Sequence, residues 1–148
     1  MLTSIHFQPW EVAPGLIRSI AWGSPQANAL QIDQRILDTA DEVRDLLGVA
    51  CLINDYALGG MRSFCGIRTP ACPKYSPGSW HSITATRPCG AVDLHPQGMN
   101  ADDARSLIRK AVGMGALPHL GGLEINITWV HVDIRPRNAD GSLVEFGP

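Results

Sequence analysis

The chain has 148 residues, 45% of them hydrophobic, with a formal net charge of -2. That supports one compact domain with its own core, is too little for two, and excludes wholesale disorder. Without a basic surplus there is nothing to neutralise a phosphate backbone, so no nucleic-acid partner is expected, and no apolar run of about eighteen residues exists to form a membrane span.

The first residues, Met1-Leu2-Thr3-Ser4-Ile5-His6, have neither a charged n-region nor a long apolar h-region. The expectation is therefore no signal peptide, cytoplasmic synthesis and reduced thiols. Cys51, Cys65, Cys72 and Cys89 form no CxxC pair and fit no common zinc-finger spacing. Cys51 lies in an apolar run and reads as a buried thiol.

Residues 1–30 carry Pro9, Pro14, Gly15, Gly23 and Pro25 together with Phe7, Trp10 and Trp22. They read as an irregular N-terminal arm, or short strands, packed onto the domain. Over 31–47 the apolar residues Ile32, Ile36, Leu37, Ala40, Val43 and Leu47 recur at spacings of three and four, which predicts a helix stopped by Gly48. The short apolar run 49–54 predicts a buried strand. Residues 55–90 are rich in Gly, Pro, Ser and Thr, and so long an irregular segment in a small domain is usually functional.

Ala91-Val92-Asp93-Leu94 predicts another short strand. A second helix is expected to start at Asn100, which caps it, with Asp102 and Asp103 suiting its positive end. Residues 123–135 alternate as one strand. His131 and Asp133 share a face of it, and Glu124 falls on the other. The tail, 137–148, is expected to fray or to cap the sheet edge. The predicted class is α+β, a small and mostly antiparallel sheet with two main helices on one side. The core domain runs over 31–136, between the 1–30 arm and the tail.

Three segments carry metal-binding chemistry: Ser79-Trp80-His81, Ala91-Val92-Asp93 and Val130-His131-Val132-Asp133. A catalytic zinc ion takes three protein ligands and keeps an open position for water, whose pKa it lowers to near 7. Two imidazoles and a carboxylate meet that need. Spacing alone does not choose the ligands among His6, His81, His95, His119 and His131.

The order of segments resembles the zinc D-alanyl-D-alanine carboxypeptidase family, which includes phage cell-wall endopeptidases and shares the hedgehog/DD-peptidase fold. The resemblance runs over residues 31–136: helix, apolar strand, the turn Cys65-Gly66-Ile67-Arg68, Ser79-x-His81, Ala91-x-Asp93 and Val130-His131-Val132-Asp133. It implies Zn2+ held by His81, Asp93 and His131. It also implies that Arg68 faces the substrate, where a guanidinium stabilises an oxyanion or binds a carboxylate. The implied activity is hydrolysis of a peptidoglycan stem peptide at the cell wall, in a bacterial wall enzyme or a phage-encoded, virion-associated or lysis protein with phage partners.

The chain departs from the family pattern twice. Twelve positions separate His81 from Asp93, so a loop around Thr84 to Pro88 is extra, and Cys89 replaces the expected glycine. An inward Cys89 would reach the metal. The acid usual three positions before the last ligand is Thr128 here, which leaves Glu124, Asp133 and His119 as alternative general bases. Asp133 also reads as a residue that orients a ligand. Arg62 reads as a surface ion pair and His95 as a strand-end histidine. Trp80 and Trp129 read as packing that dries the site. The rival readings are a zinc-binding domain without catalysis and a structural domain of a phage particle. No Gly-x-Ser-x-Gly elbow supports a serine nucleophile.

Overall fold

Two capping side chains set where the long helices begin. In the computed structural model, which describes residues 1–148, Asp33 accepts a hydrogen bond from the Arg35 amide and opens a helix over Gln34–Leu47. This start lies inside the predicted 31–47 span because Ile32 is instead drawn into a β-bridge with Cys89. Gly48 ends the helix in the left-handed region at φ 66, where a side chain is strained. Asn100 accepts from the Asp103 amide and opens the second long helix, Ala101–Gly113. Two single-turn helices precede them, α1 (Pro9–Val12) and α2 (Pro25–Asn28), so the long helices are α3 and α4.

The five-stranded sheet comprises β1 (Cys51–Leu52), β2 (Ala91–Pro96), β3 (Gly122–Glu124), β4 (Val130–Asp133) and β5 (Val144–Phe146), in the order β1-β2-β4-β3-β5. Every pairing is antiparallel except β3 with β5, so the sheet is mixed and mostly antiparallel. β1 is shorter than the predicted 49–54 strand because the Asn54 amide leaves the sheet to donate to the Glu11 carbonyl near α1.

The predicted single strand over 123–135 is two strands joined by a turn. Asn126 sits at φ 63, a left-handed conformation that Asn tolerates better than most residues. The chain then doubles back so that Leu123 pairs with Val132. The reversal changes which way Glu124 points relative to His131, with consequences for the site described below.

Ile36, Leu37, Ala40 and Val43 of α3 and Ala104, Ile108 and Ala111 of α4 are buried, and both helices pack on β2. The N-terminal arm belongs to the same core: Phe7, Val12 and Ala13 join its cluster of 25 buried residues, Phe7 with no exposed surface. Burying such a side chain contributes about 1.5–3 kcal/mol. Asp41 on α3 pins the arm by accepting from the Ser4 hydroxyl and from the Ile5 and His6 amides. The arm's regular structure is helical, without strands, and the tail caps the sheet edge as β5.

Candidate metal centre

β2 and β4 pair so that Asp93 lies directly opposite His131, which brings a carboxylate and an imidazole to one spot on the sheet. The third member comes from the long irregular segment. Arg68 and Ser82 form a β-bridge, in which the Arg68 amide donates to the His81 carbonyl at 2.9 Å. The same segment seats Gly66 so that its carbonyl lies 2.8 Å from His81 Nδ1.

Hydrogen bonding then orients both imidazoles. A carbonyl only accepts, so His81 Nδ1 carries the proton and Nε2 is left with its lone pair. His131 Nε2 lies 3.2 Å from Asp133 Oδ2 and donates there, so in the neutral ring Nδ1 keeps its lone pair. Those two nitrogens lie 3.1 Å apart, and Asp93 Oδ1 stands 3.1 Å from the first and 2.8 Å from the second. With both rings neutral, three acceptors converge with no hydrogen between them, an arrangement that either a metal ion or a proton on His131 Nδ1 satisfies. His81, Asp93 and His131 form a buried group able to hold a metal ion.

The protonation tendencies agree with that need. Burial pushes the His81 imidazole down, towards the neutral form that binds metal. Burial also opposes charge on Asp93, but the flanking histidines outweigh it and hold the carboxyl well below its ordinary range. At His131 burial pulls downward, yet hydrogen bonds to Asp133 and Asp93 and their charges raise it to about 9. A proton on His131 therefore serves the apo group as the missing positive charge.

The turn after β3 brings Glu124 to this group, with Oε2 3.8 Å from His131 Nδ1. Burial pushes its carboxyl pKa up. Arg68 donates from Nη2 to Asp93 Oδ2 at 3.3 Å and from Nε to the Phe64 carbonyl at 2.9 Å. Glu124, Arg68, Trp80, Trp129 and the metal-binding group line one cavity of about 610 Å³.

The other expected residues lie elsewhere. Asp133 has no exposed surface and sits behind His131, where it also accepts from Arg135, so it orients the ring and has no path to the cavity as a base. His119 is exposed and near Asp33 at the start of α3, outside the cavity, so it too is excluded as the base. Cys89 points its thiol at the Ala91 carbonyl and is fully buried, away from the metal group. All four cysteines are free. Arg62 is exposed and forms an ion pair, but with Asp55, which is buried, so the pair is only half at the surface. His95 lies 3.4 Å from Cys65 Sγ, beside the site.

Two contributors escaped the sequence. Phe146 on β5 meets the His131 ring edge-to-face at 5.6 Å, and Arg135 stacks on Phe146 at 4.0 Å while pairing with Asp133. The ring of His131 is thereby clamped on both edges. The available signal was the short apolar alternation Leu143-Val144-Glu145-Phe146 in an otherwise polar tail. The extra loop before Cys89 also has a role: Arg87 donates to the Pro77 and Ser79 carbonyls and stacks on Trp80, clasping the segment that carries His81.

Gly66 is irreplaceable for a steric reason. A Cβ there would lie 2.2 Å from the Val12 carbonyl oxygen, a backbone atom that cannot swing aside. Gly66→Ala is expected to destabilise the fold by about 1–3 kcal/mol and to weaken metal binding as the His81 acceptor shifts. Denaturant melts and a metal titration check this, and wild-type behaviour in both would refute the assigned contact. Comparison with known proteins identifies no relative: no family model matches the chain, and neither does any curated protein or solved structure.

Proposed function

We propose that the protein is a zinc-dependent peptidase acting on peptidoglycan stem peptides, of the D-alanyl-D-alanine carboxypeptidase and cell-wall endopeptidase type with its hedgehog/DD-peptidase fold. The observation that carries this reading is the triangle of acceptors on His81, Asp93 and His131, with a carboxylate and a guanidinium facing the same cavity. Two nitrogens and one carboxylate oxygen suit Zn2+ among the common ions. Bound there, Zn2+ would polarise a carbonyl and make a water acidic near neutral pH.

The chain's own residues supply the remaining chemistry. Glu124 stands where it can take a proton from a water and pass it to a leaving amine. Its upward-shifted pKa narrows the gap to neutrality that a general base must bridge. Arg68 offers a fixed guanidinium to charge developing on the carbonyl oxygen, or to a substrate carboxylate. Trp80, Trp129 and Phe146 wall the cavity and strengthen these interactions by displacing solvent. The resemblance of the segment order supports peptidoglycan as the substrate. The rival reading of a non-catalytic metal domain drew on Thr128, and the placement of Glu124 beside His131 favours catalysis.

Elemental analysis of protein purified without chelator is expected to find about one zinc per chain. Digestion of purified peptidoglycan is then expected to release peptide fragments in a zinc-dependent way. Zinc without any release would leave the non-catalytic rival in place. Failure to take up zinc at all would remove both readings.

A further inference from the structure

Beside the His81–Asp93–His131 group, a second pair of metal-ligating atoms meets at a cavity. Cys65 Sγ lies 3.4 Å from His95 Nε2. Both residues line a space of about 560 Å³ that adjoins the first cavity along Arg68, Asp93 and Trp129. A tetrahedral cation with a metal–sulfur bond of about 2.3 Å and a metal–nitrogen bond of about 2.0 Å sets those two donors about 3.5 Å apart. Cys65 and His95 therefore already stand at the spacing one ion imposes. The cavity leaves room for water at the ion's remaining positions.

Both donors are carried on fixed backbone. The Cys65 amide donates to Asn54 Oδ1 at 2.9 Å, and the Cys65 carbonyl accepts from the Asp93 amide at 2.7 Å. Asn54 has no exposed surface. His95 lies on β2, paired with Leu52 of β1. Neither Sγ nor Nε2 is used in this support, and each has the other as its hydrogen-bond partner. The charges around them are balanced: Asp55 pairs with Arg62 and Asp93 with Arg68. Lys74, the remaining cation of the cavity wall, is exposed. A thiolate at Cys65 then supplies the negative charge that an incoming cation needs, and soft sulfur selects a thiophilic one.

We propose that Cys65 and His95 form a second metal site, for a thiophilic divalent cation such as Cd2+ or zinc in excess. The ion bonds Cys65 Sγ, His95 Nε2 and water of the cavity, and the thiol proton leaves to solvent as the metal–sulfur bond forms. The site shares no ligand with the His81–Asp93–His131 group. With two protein ligands against three it is the weaker of the two and fills second. It stands whether or not the first centre cuts peptides.

The test titrates Cd2+ into the full-length, zinc-loaded protein and follows ultraviolet absorption, with bound zinc measured in parallel. The first centre contains no sulfur donor, so thiolate-to-cadmium charge transfer reports the second site even where Cd2+ displaces zinc. A saturable band at about one ion per chain is expected. Cys65→Ser keeps both backbone bonds and should abolish the band while zinc content stays at the wild-type level. His95→Gln should weaken Cd2+ at least about tenfold, the low end for loss of a partner at a metal site. Cys72→Ser should leave the band unchanged, and Cys51 and Cys89 are buried. Absence of the band, its survival in Cys65→Ser, or unchanged affinity in His95→Gln overturns the site. A Cys65-dependent band in a chain that takes up no zinc supports the second site and removes the first.

Discussion

Glu124→Gln is expected to keep the metal and lose turnover by about 10²–10⁴, the usual contribution of a positioned general base. Glutamine preserves the size and hydrogen-bonding reach of the side chain but cannot accept a proton. Glu124 lies 3.8 Å from His131 Nδ1 and outside the triangle of closest donors, so metal content should stay at the wild-type level. Parallel measurements of bound zinc and of fragment release from peptidoglycan decide the matter. Wild-type activity in Glu124→Gln would mean that the proton goes elsewhere, and joint loss of zinc and activity would make Glu124 a ligand.

The second large effect concerns stability. Arg105 on α4 is 2% exposed, and its guanidinium donates to the carbonyls of Glu124, Ile127 and Trp129, the backbone of the turn between β3 and β4. Its only acidic partner, Asp102, is 89% exposed. Arg105→Met removes the donors and leaves three part-buried carbonyls to find other partners. A loss of about 3–5 kcal/mol is expected, typical of breaking a buried charged network and a large share of a domain's stability. Asp102→Asn touches only the solvent side and should cost no more than about 1 kcal/mol. Urea midpoints of the two variants give the comparison. Equal, small losses would show that the turn stands without Arg105. At permissive temperature, Arg105→Met should also lower activity more than metal content, because the turn it braces carries Glu124.

The two long helices were legible in the sequence because their signals are local. The recurrence of Ile36, Leu37, Ala40 and Val43, the stop at Gly48 and the cap at Asn100 all act within a turn or two. His81, Asp93 and His131 were legible only through the order of their segments, and the structure brings the three together. The turn at Asn126 was hidden because 123–135 alternates as a strand does. What breaks the strand is a guanidinium nineteen or more positions earlier in the chain, which satisfies the turn's carbonyls. Strand alternation accordingly puts Glu124 on the wrong face. His119 stands out for its place in a Gly-rich stretch, yet it is exposed and does not line the cavity, which the same stretch reaches only further on at Glu124. Phe146 was missed because a parallel edge strand takes its reason from β3, far from it in sequence.

The three donor residues are separated by 12, 38 and 50 positions along the chain. None of the pairs can be brought together by local structure, so the triangle exists only when β2, β4 and the long irregular segment are all in place. A cation that binds it therefore binds the native state and has almost no hold on the unfolded chain. Such a ligand adds RT ln(1 + [L]/Kd) to the unfolding free energy, about 2.7 kcal/mol at a hundredfold excess over Kd. The melting temperature of the whole domain thus becomes a gauge of the ion. Removing the ion should loosen the N-terminal arm and the final strand together with the centre, because one hydrophobic core joins them.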